Sequence, residues 1–179
     1  IEAAIEMLAE DNVEALRVDT LAERLGVTKG SFYWHFKGRE DLLLAVLESW
    51  RLQMTSQIRT LIADTSGTPW ERIERLLRIA ISARPEVPGG PFEMTLRDWA
   101  RRDAKVAGIV REVDNARTDF ARLLYRDAGL SEADAQDFAE LHMAFVIGQR
   151  MTLAADDREE VQRRRRIAIA LLLPKDRVV

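Results

Sequence analysis

Apolar residues recur every three or four positions along almost the whole chain, and no segment alternates apolar and polar residues with a period of two. This spacing places apolar side chains on one face of an α-helix and is not typical of half-buried strands. The sequence therefore predicts an all-α fold. The expected helices cover approximately residues 1–10, 19–25, 28–36, 39–62, 69–81, 92–101, 106–128, 131–155 and 158–173.

Two breaks between these helices stand out. Residues 64–69 (DTSGTP) and 84–91 (RPEVPGGP) hold too many turn-forming residues to be helical. Pro69 suits the first turn of the helix that follows it. Pro174 is expected to end the last helix, because proline cannot continue a helical hydrogen-bond pattern.

The most informative segment is residues 19–42, which read DTLAERLGVTKGSFYWHFKGREDL. Thr20 and Glu23 have the spacing of a capping box, which predicts that a helix starts there. Gly26 stands where that helix must end and the chain must turn without a Cβ clash. Thr28 is a good N-cap for the next helix. Two short helices joined by a tight turn are therefore predicted.

The second of these short helices has two different faces. Phe32 and Phe36 are one turn apart and should pack against the first helix. The opposite face carries small, aromatic, hydroxyl and cationic residues: Gly30 and Trp34, flanked by Ser31, Tyr33 and Lys37. Such side chains suit phosphates and base edges better than a protein core. The pattern favours a helix that reads the major groove of DNA.

Charge favours a local DNA-binding surface rather than a global one. The net charge of −3 argues against non-specific polyanion binding by the whole molecule. The segment from Arg24 to Arg39, in contrast, holds four Lys or Arg residues and no acid. Residues 1–23 work against DNA, since they hold seven acids and only Arg17 as a cation.

Composition argues against several other classes of protein. The chain has no cysteine, so it offers neither disulfides nor thiolate metal sites, and a cytoplasmic location is favoured. No export signal or membrane span is recognisable. No nucleophile elbow, P-loop or dinucleotide-binding glycine pattern occurs. We therefore expect no metal, no cofactor and no catalysis. The alternatives are a helical binding or scaffolding protein without DNA binding, and a helical enzyme.

Residues 21–42 closely resemble the tetracycline-repressor (TetR) family of bacterial regulators. The resemblance rests on the segments 21–22 (LA), 26–28 (GVT), 31–36 (SFYWHF) and 37–42 (KGREDL). It implies a helix-turn-helix DNA-binding domain over residues 1–47 and a helical regulatory domain over residues 48–179. It also implies a short basic segment before Ile1, which would offset the acids of residues 1–23.

The motif and the resemblance together imply a set of DNA contacts. Base-edge contacts are expected from Lys29, Ser31 and Trp34. Gly30 would let the helix approach the DNA closely. Phosphate contacts are expected from Thr28, Tyr33, His35, Lys37 and Arg39. The expected partner is a double-stranded, palindromic operator. Repression is the expected outcome, although an activator would have the same sequence features.

Two C-terminal helices favour a homodimer, which a palindromic site requires. The helix over 131–155 and the last helix carry apolar and small residues that two subunits could pack into a four-helix bundle. The expected interface residues are Phe138, Phe145, Gly148, Ile167 and Leu171. The alternative is that both helices only cover the core of a monomer.

The family resemblance also implies a small-molecule effector bound between Pro69 and Ala155. Residues 85–91 would form a flexible entrance to its pocket. Polar orienting groups are expected from Arg97, Asp98, Asp114 and Arg117, unless these form surface ion pairs. The candidate pocket residues are Trp70, Phe92, Met94, Trp99, Phe120, Tyr125, His142 and Met143, although for each of them ordinary core packing is favoured over ligand contact.

Two features have simpler interpretations than binding. The run Arg163–Arg166 follows Glu159 and Glu160 at helical spacing, so a solvated, internally paired helix face is favoured over a nucleic-acid site. His142 lies among apolar residues of a predicted helix. A buried imidazole with satisfied hydrogen bonds is favoured there over a ligand or metal site.

Overall fold

The computed structural model describes residues 1–81, 90–152 and 158–173, and over these residues the chain is all-α. A 3-10 turn at Val13–Ala15 separates the first two α-helices. The helices are α1 (Glu2–Glu10), α2 (Val18–Leu25), α3 (Lys29–His35), α4 (Arg39–Ala63), α5 (Pro69–Ile81), α6 (Pro91–Ala100), α7 (Ala104–Asp127), α8 (Glu132–Thr152) and α9 (Arg158–Leu172).

The described chain forms two compact units. The first, unit 1, holds residues 1–56 and 90–112. In it α1 packs against α2 and α6, and α2 packs against α3. Its buried residues include Leu8, Leu21, Phe32, Leu47, Trp50 and Leu96, which come from these helices and from α4.

The second, unit 2, holds residues 57–81, 113–152 and 158–173. Here α5 packs against α8 and α9, which also pack against each other. Small residues at Ala121, Ala135 and Ala139 let the helices approach closely around larger apolar side chains. The larger members of this core are Ile73, Leu77, Phe120, Leu124, Tyr125, Leu172 and Leu173.

Most helix ends form as their sequence signals predict. Gly26 ends α2 in the left-handed conformation, with φ of 64°. The Thr28 hydroxyl accepts a 3.2 Å hydrogen bond from the Ser31 N–H at the start of α3. Pro69 lies at the first position of α5, and the preceding Thr68 forms a capping box with Glu71.

The predicted capping box of Thr20 and Glu23 is wrong. Helix α2 begins two residues earlier than Thr20, at Val18, and its N-cap Arg17 makes no side-chain capping bond. The Thr20 hydroxyl instead donates to the Arg17 carbonyl oxygen over 2.9 Å. Local hydrogen bonding of a threonine inside the first turn has replaced its capping role.

Several expectations fall on residues outside the described ranges. They are the pocket entrance at 85–89, the end of the eighth helix at Ala155, and the stop at Pro174. A functional division between residues 47 and 48 stays a prediction. Within the described residues, no helix combines the length and apolar character needed to cross a membrane.

Candidate DNA interface

The turn between α2 and α3 sets the position of the second helix. Because Gly26 adopts a positive φ, its N–H can bond the Glu23 carbonyl at 3.0 Å and Val27 can bond Ala22 at 3.0 Å. This is the hydrogen-bond pattern of a glycine-terminated helix. Two residues later, Thr28 caps α3. The short connection therefore fixes α3 firmly against α2.

Helix α3 is amphipathic in the predicted sense. Phe32 is only 7% exposed, and its ring lies 5.6 Å from that of Phe36, which is half-buried. On the opposite side Tyr33 is 57% exposed and Trp34 is 88% exposed. A tryptophan so fully in water contributes little to folding, so its presence requires another explanation.

The basic segment is partly neutralised by acids from elsewhere in unit 1. Arg24 donates two hydrogen bonds to Glu10, of 2.6 and 2.8 Å, and lies 3.4 Å from Glu6. Because Arg24 donates these bonds, the pKa of the Glu10 carboxyl is lowered. The expectation that Arg24 adds a cation to the DNA-binding patch is corrected by this pairing.

A second ion pair lies directly at the candidate interface. The Lys29 ammonium is 2.7 Å from Asp19 Oδ1, and both side chains are more than half exposed. The hydrogen bond from Lys29 lowers the pKa of the Asp19 carboxyl, and the charges of Lys29 and Arg17 lower it further. The sequence predicts a helix start near Asp19, but the place of this residue beside Lys29 follows only from the packing of α2 and α3.

Arg39 and Lys37 differ in their surroundings. The Arg39 guanidinium donates to the backbone carbonyl of Leu16 at 2.6 Å and to that of Val13, so it is half-buried and ties α4 to the 3-10 turn. The Lys37 side chain is exposed, while its N–H donates to Asp41 over 3.0 Å. Lys37 is thus the more accessible cation.

The remaining candidate DNA residues share one property, which is exposure to solvent on α3 or at its ends: Thr28, Lys29, Gly30, Ser31, Tyr33, Trp34, His35 and Lys37. A Cβ added at Gly30 would meet only the Thr28 hydroxyl, at 3.6 Å. The surface at Gly30 is therefore open to close approach. Which of these residues contact bases and which contact phosphates stays a prediction.

A buried polar group lies in the core of unit 2. The Tyr125 hydroxyl donates to the Leu172 carbonyl over 3.1 Å and is 3.4 Å from His142 Nδ1. Burial raises the pKa of Tyr125 and lowers that of His142 to about 4. His142 is therefore a neutral buried imidazole with a hydrogen-bonding neighbour.

The predicted pocket residues fall in both units. In unit 2, Tyr125 is the centre of a ring cluster, with Trp70 at 6.5 Å and His142 at 6.2 Å. Phe120 belongs to the same core, and Met143 is half-buried on α8.

In unit 1, Phe92 is buried and Met94 is half-buried. Trp99 lines an open cleft of about 450 Å³, together with Glu14, Leu43, Leu44 and Arg102. Their role in ligand binding stays a prediction.

The candidate orienting groups are already paired with protein. Arg97 lies 2.8 Å from the fully buried Glu93. Asp98 accepts a hydrogen bond from Arg102, and Arg117 lies 3.7 Å from Asp114.

On α9, Glu160 accepts 2.7 Å hydrogen bonds from Arg163 and Arg164, which lowers the pKa of the Glu160 carboxyl to about 2.

The predicted dimer residues lie on two helices of unit 2. Phe138 and Phe145 are half-buried against its core, and Gly148 follows one turn later with no atom within 4 Å of an added Cβ. Ile167 and Leu171 of α9 are 44% and 69% exposed. Two further apolar residues of α8, Leu141 and Met151, are 58% and 72% exposed.

These features define a class of protein. A glycine turn that positions a short helix, with its apolar side buried and its aromatic and cationic side in water, is a helix-turn-helix of the DNA-binding type. Among the described residues, no three His, Asp or Glu side chains come together in a way that could hold a metal ion.

Comparison with known proteins agrees with this class. A family model for bacterial regulatory proteins of the tetR family matches residues 1–46. The tetracycline repressor protein class A from transposon 1721 of Escherichia coli is 28% identical over 174 residues, which are 97% of this chain and 74% of that protein.

Solved structures are similar in fold over nearly the whole chain. A transcriptional regulator from Rhodococcus sp. Rha1 has a TM-score of 0.78 at 18% identity, with 96% of this chain and 92% of the other covered. The regulator AibR, solved with isovaleryl coenzyme A and operator DNA, has a TM-score of 0.75 at 18% identity, covering 97% and 95%. Residues 1–46 therefore belong to the tetR family of bacterial regulatory proteins, and the protein is a DNA-binding transcriptional regulator.

Proposed function

We propose that this protein represses transcription by binding a palindromic DNA operator as a homodimer, and that a small-molecule effector releases it. The observation that carries the DNA part is the exposed face of α3. Trp34 is 88% exposed and Tyr33 57% exposed, beside Lys29 and Lys37. Folding alone does not account for such a surface, whereas insertion into a major groove does.

Each recognition helix would enter one major groove. Lys29, Ser31 and Trp34 would meet base edges, and Gly30 would permit close approach. Phosphates on either side would be held by Thr28, Tyr33, His35 and Lys37, with help from backbone N–H groups at the helix start. Arg39 would act mainly by holding α4 against the 3-10 turn, since its guanidinium already donates to Leu16 and Val13.

The homodimer would form through α8 and α9. Exposed apolar residues lie on both helices: Leu141 and Met151 on α8, and Ile167 and Leu171, one turn apart, on α9. Burial of such side chains in a four-helix bundle is the expected way to remove them from water. The predicted residues Phe138, Phe145 and Gly148 lie on the same helix as Leu141.

The effector would bind in the regulatory part of the chain, among the candidate residues around Tyr125. The AibR structure holds isovaleryl coenzyme A together with operator DNA, which supports a small-molecule partner for a protein of this fold. The ligand would act only through its different affinity for the DNA-competent and DNA-incompetent conformations. Helix α4 starts at Arg39, directly after α3 and Lys37, and runs into unit 2, so it would carry the change.

The test is the stoichiometry and footprint of the complex. The protein would be mixed with a duplex that it has itself selected from a random-sequence library, and the complex would be sized by analytical ultracentrifugation. Two protomers on one duplex are expected, with protection of two major-groove segments related by a two-fold axis. One protomer per site, or no protected segment, would contradict the proposal.

A further inference from the structure

Asp19 is an acid at the edge of a surface that should attract phosphates. It is the second residue of α2, whereas Lys29 is the first residue of α3. The two side chains meet across the turn, with 2.7 Å between Nζ and Oδ1. The Asp19 side chain stays 56% exposed and the Lys29 side chain 62% exposed, so the pair lies at the surface between α2 and α3.

The electrostatic setting keeps this carboxylate ionised. Lys29 donates a hydrogen bond to it and Arg17 adds a second positive charge nearby, and both lower its pKa. A negative charge therefore persists at the start of the DNA-reading helix at neutral pH. A helix N-terminus favours an acid, but this preference does not explain why the acid lies beside Lys29, because it could be met on any face of α2.

We propose that Asp19 is a positioning residue for Lys29 that raises the sequence specificity of DNA binding. This inference rests on the proposed DNA-binding function. The Asp19 carboxylate accepts a hydrogen bond from one N–H of the Lys29 ammonium. Its negative charge also weakens the attraction of that ammonium to DNA phosphates. Lys29 then contributes to affinity mainly where a base edge accepts its remaining donors.

The physical reason lies in how lysine binds DNA. A lysine is a flexible point charge that any phosphate attracts, so it normally adds affinity without sequence information. An ammonium has three N–H donors. With one donor committed to Asp19, two remain, and guanine offers two acceptors, N7 and O6, in the major groove. The carboxylate thus lowers non-specific affinity more than it lowers affinity for a site with guanine at this position.

The test compares five forms of the protein: wild type, D19N, K29Q, the double variant of both, and E23Q. Glu23 is exposed on the same helix, and Lys29 pairs with Asp19 and not with Glu23. E23Q is therefore a control that makes the same charge change and leaves the Lys29 ion pair in place. The probes are the duplex that wild type selects from a random library and a scrambled duplex of equal length and composition. Affinities are measured by fluorescence anisotropy over a range of salt concentrations.

The expected result for D19N is a gain in affinity for the scrambled duplex of about threefold to tenfold. The magnitude of its logarithmic salt slope should increase by about one, because one more cation is available to phosphates. Affinity for the selected duplex should change less, so the specificity ratio falls. E23Q should leave that ratio near the wild-type value. In the K29Q background, D19N should have no more effect than E23Q.

Three outcomes would overturn the inference. D19N and E23Q could change the specificity ratio equally, which would mean that Asp19 acts only through the net charge of the protein. The effect of D19N could persist in the K29Q background, which would show that Asp19 does not act through Lys29. Finally, wild type could select no sequence from the library, in which case the proposed function itself fails and the inference with it.

Discussion

The hydroxyl of Thr95 donates a 2.7 Å hydrogen bond to the backbone carbonyl oxygen of Leu8. Leu8 lies in the last turn of α1, where carbonyl groups lack partners within the helix. The N–H of Asn12, which would otherwise be in reach, donates to the side chain of Asp11. A side chain of α6 therefore supplies the partner of one carbonyl group at the end of α1.

Loss of this bond should destabilise the fold. We predict that T95V, which keeps the shape of the side chain, lowers the free energy of unfolding by about 1–2 kcal/mol, because the Leu8 carbonyl loses its partner. T95S, which keeps the hydroxyl, should stay closer to wild type. Urea denaturation followed by circular dichroism measures both. Equal stability of T95V and wild type would contradict the prediction.

The two faces of α3 should respond differently to truncation. F32A removes a ring that is 7% exposed and should cost about 3–5 kcal/mol of stability. W34A removes a ring that is 88% exposed and should change stability by less than about 0.5 kcal/mol.

For DNA binding by the folded protein, Trp34 should matter more than Phe32. W34A should bind the selected duplex about tenfold more weakly while unfolding as wild type does, since it removes a base-edge contact worth about 1–3 kcal/mol. Thermal unfolding and anisotropy titrations on the same samples separate the two effects. W34A binding at wild-type affinity would remove Trp34 from the interface.

Lys37 should contribute affinity without specificity. We predict that K37A weakens binding to every duplex by a similar factor and reduces the magnitude of the salt slope by about one. K105A is the matched control, because Lys105 is exposed at the start of α7, outside the helix-turn-helix. If K105A and K37A changed the salt slope equally, the phosphate contact of Lys37 would not stand.

The apolar surface of α8 and α9 should hold the dimer together. L171E places a charge where Leu171 is 69% exposed in the single chain, and it should weaken self-association by about 2 kcal/mol or more, roughly 30-fold. L52E, at an exposed leucine of α4, is the control. Sedimentation equilibrium measures the association constant. An unchanged constant for L171E would locate the interface elsewhere.

His142 should make stability depend on pH in a defined window. Its pKa falls from 6.5 to about 4 in the folded protein because of burial. Between these pH values the unfolded chain binds a proton that the folded chain rejects. The free energy of unfolding should therefore have its full value above pH 6.5. It should fall as the pH is lowered to 4, by up to ~1.4 kcal/mol per pH unit.

The variant H142Q isolates this contribution, since glutamine can still bond the Tyr125 hydroxyl without titrating. The difference in unfolding free energy between wild type and H142Q should therefore shrink as the pH falls through the window. H35Q makes the same chemical change at an exposed position and serves as the control. A difference that is constant with pH would show that burial does not shift His142.

The parts of the fold that follow local rules could be predicted from the sequence. The buried and exposed faces of α3 depend on residues three and four apart, so Phe32 and Trp34 were placed correctly. The ends of α2 and α3 depend on Gly26 and Thr28, whose conformational and capping preferences are strong. Such features need no knowledge of tertiary structure.

Contacts between distant residues could not be predicted in this way. Arg24 and Glu10 are 14 positions apart, and Thr95 and Leu8 are 87 apart, so only the packing of helices brings them together. The same holds for the pairing of Lys29 with Asp19, which reverses the sequence impression of an unopposed basic segment. The place of α6 beside α1 in unit 1 likewise follows from packing alone.

The most direct test of the central claim is recovery of DNA fragments from the genome. The protein would be immobilised, exposed to fragmented genomic DNA at about 150 mM salt, and the retained fragments sequenced. A shared palindrome is expected, with half-sites that lie about one helical turn, ~34 Å, or a multiple of it apart. Retention without a shared sequence, or no retention at all, would contradict a sequence-specific dimeric regulator.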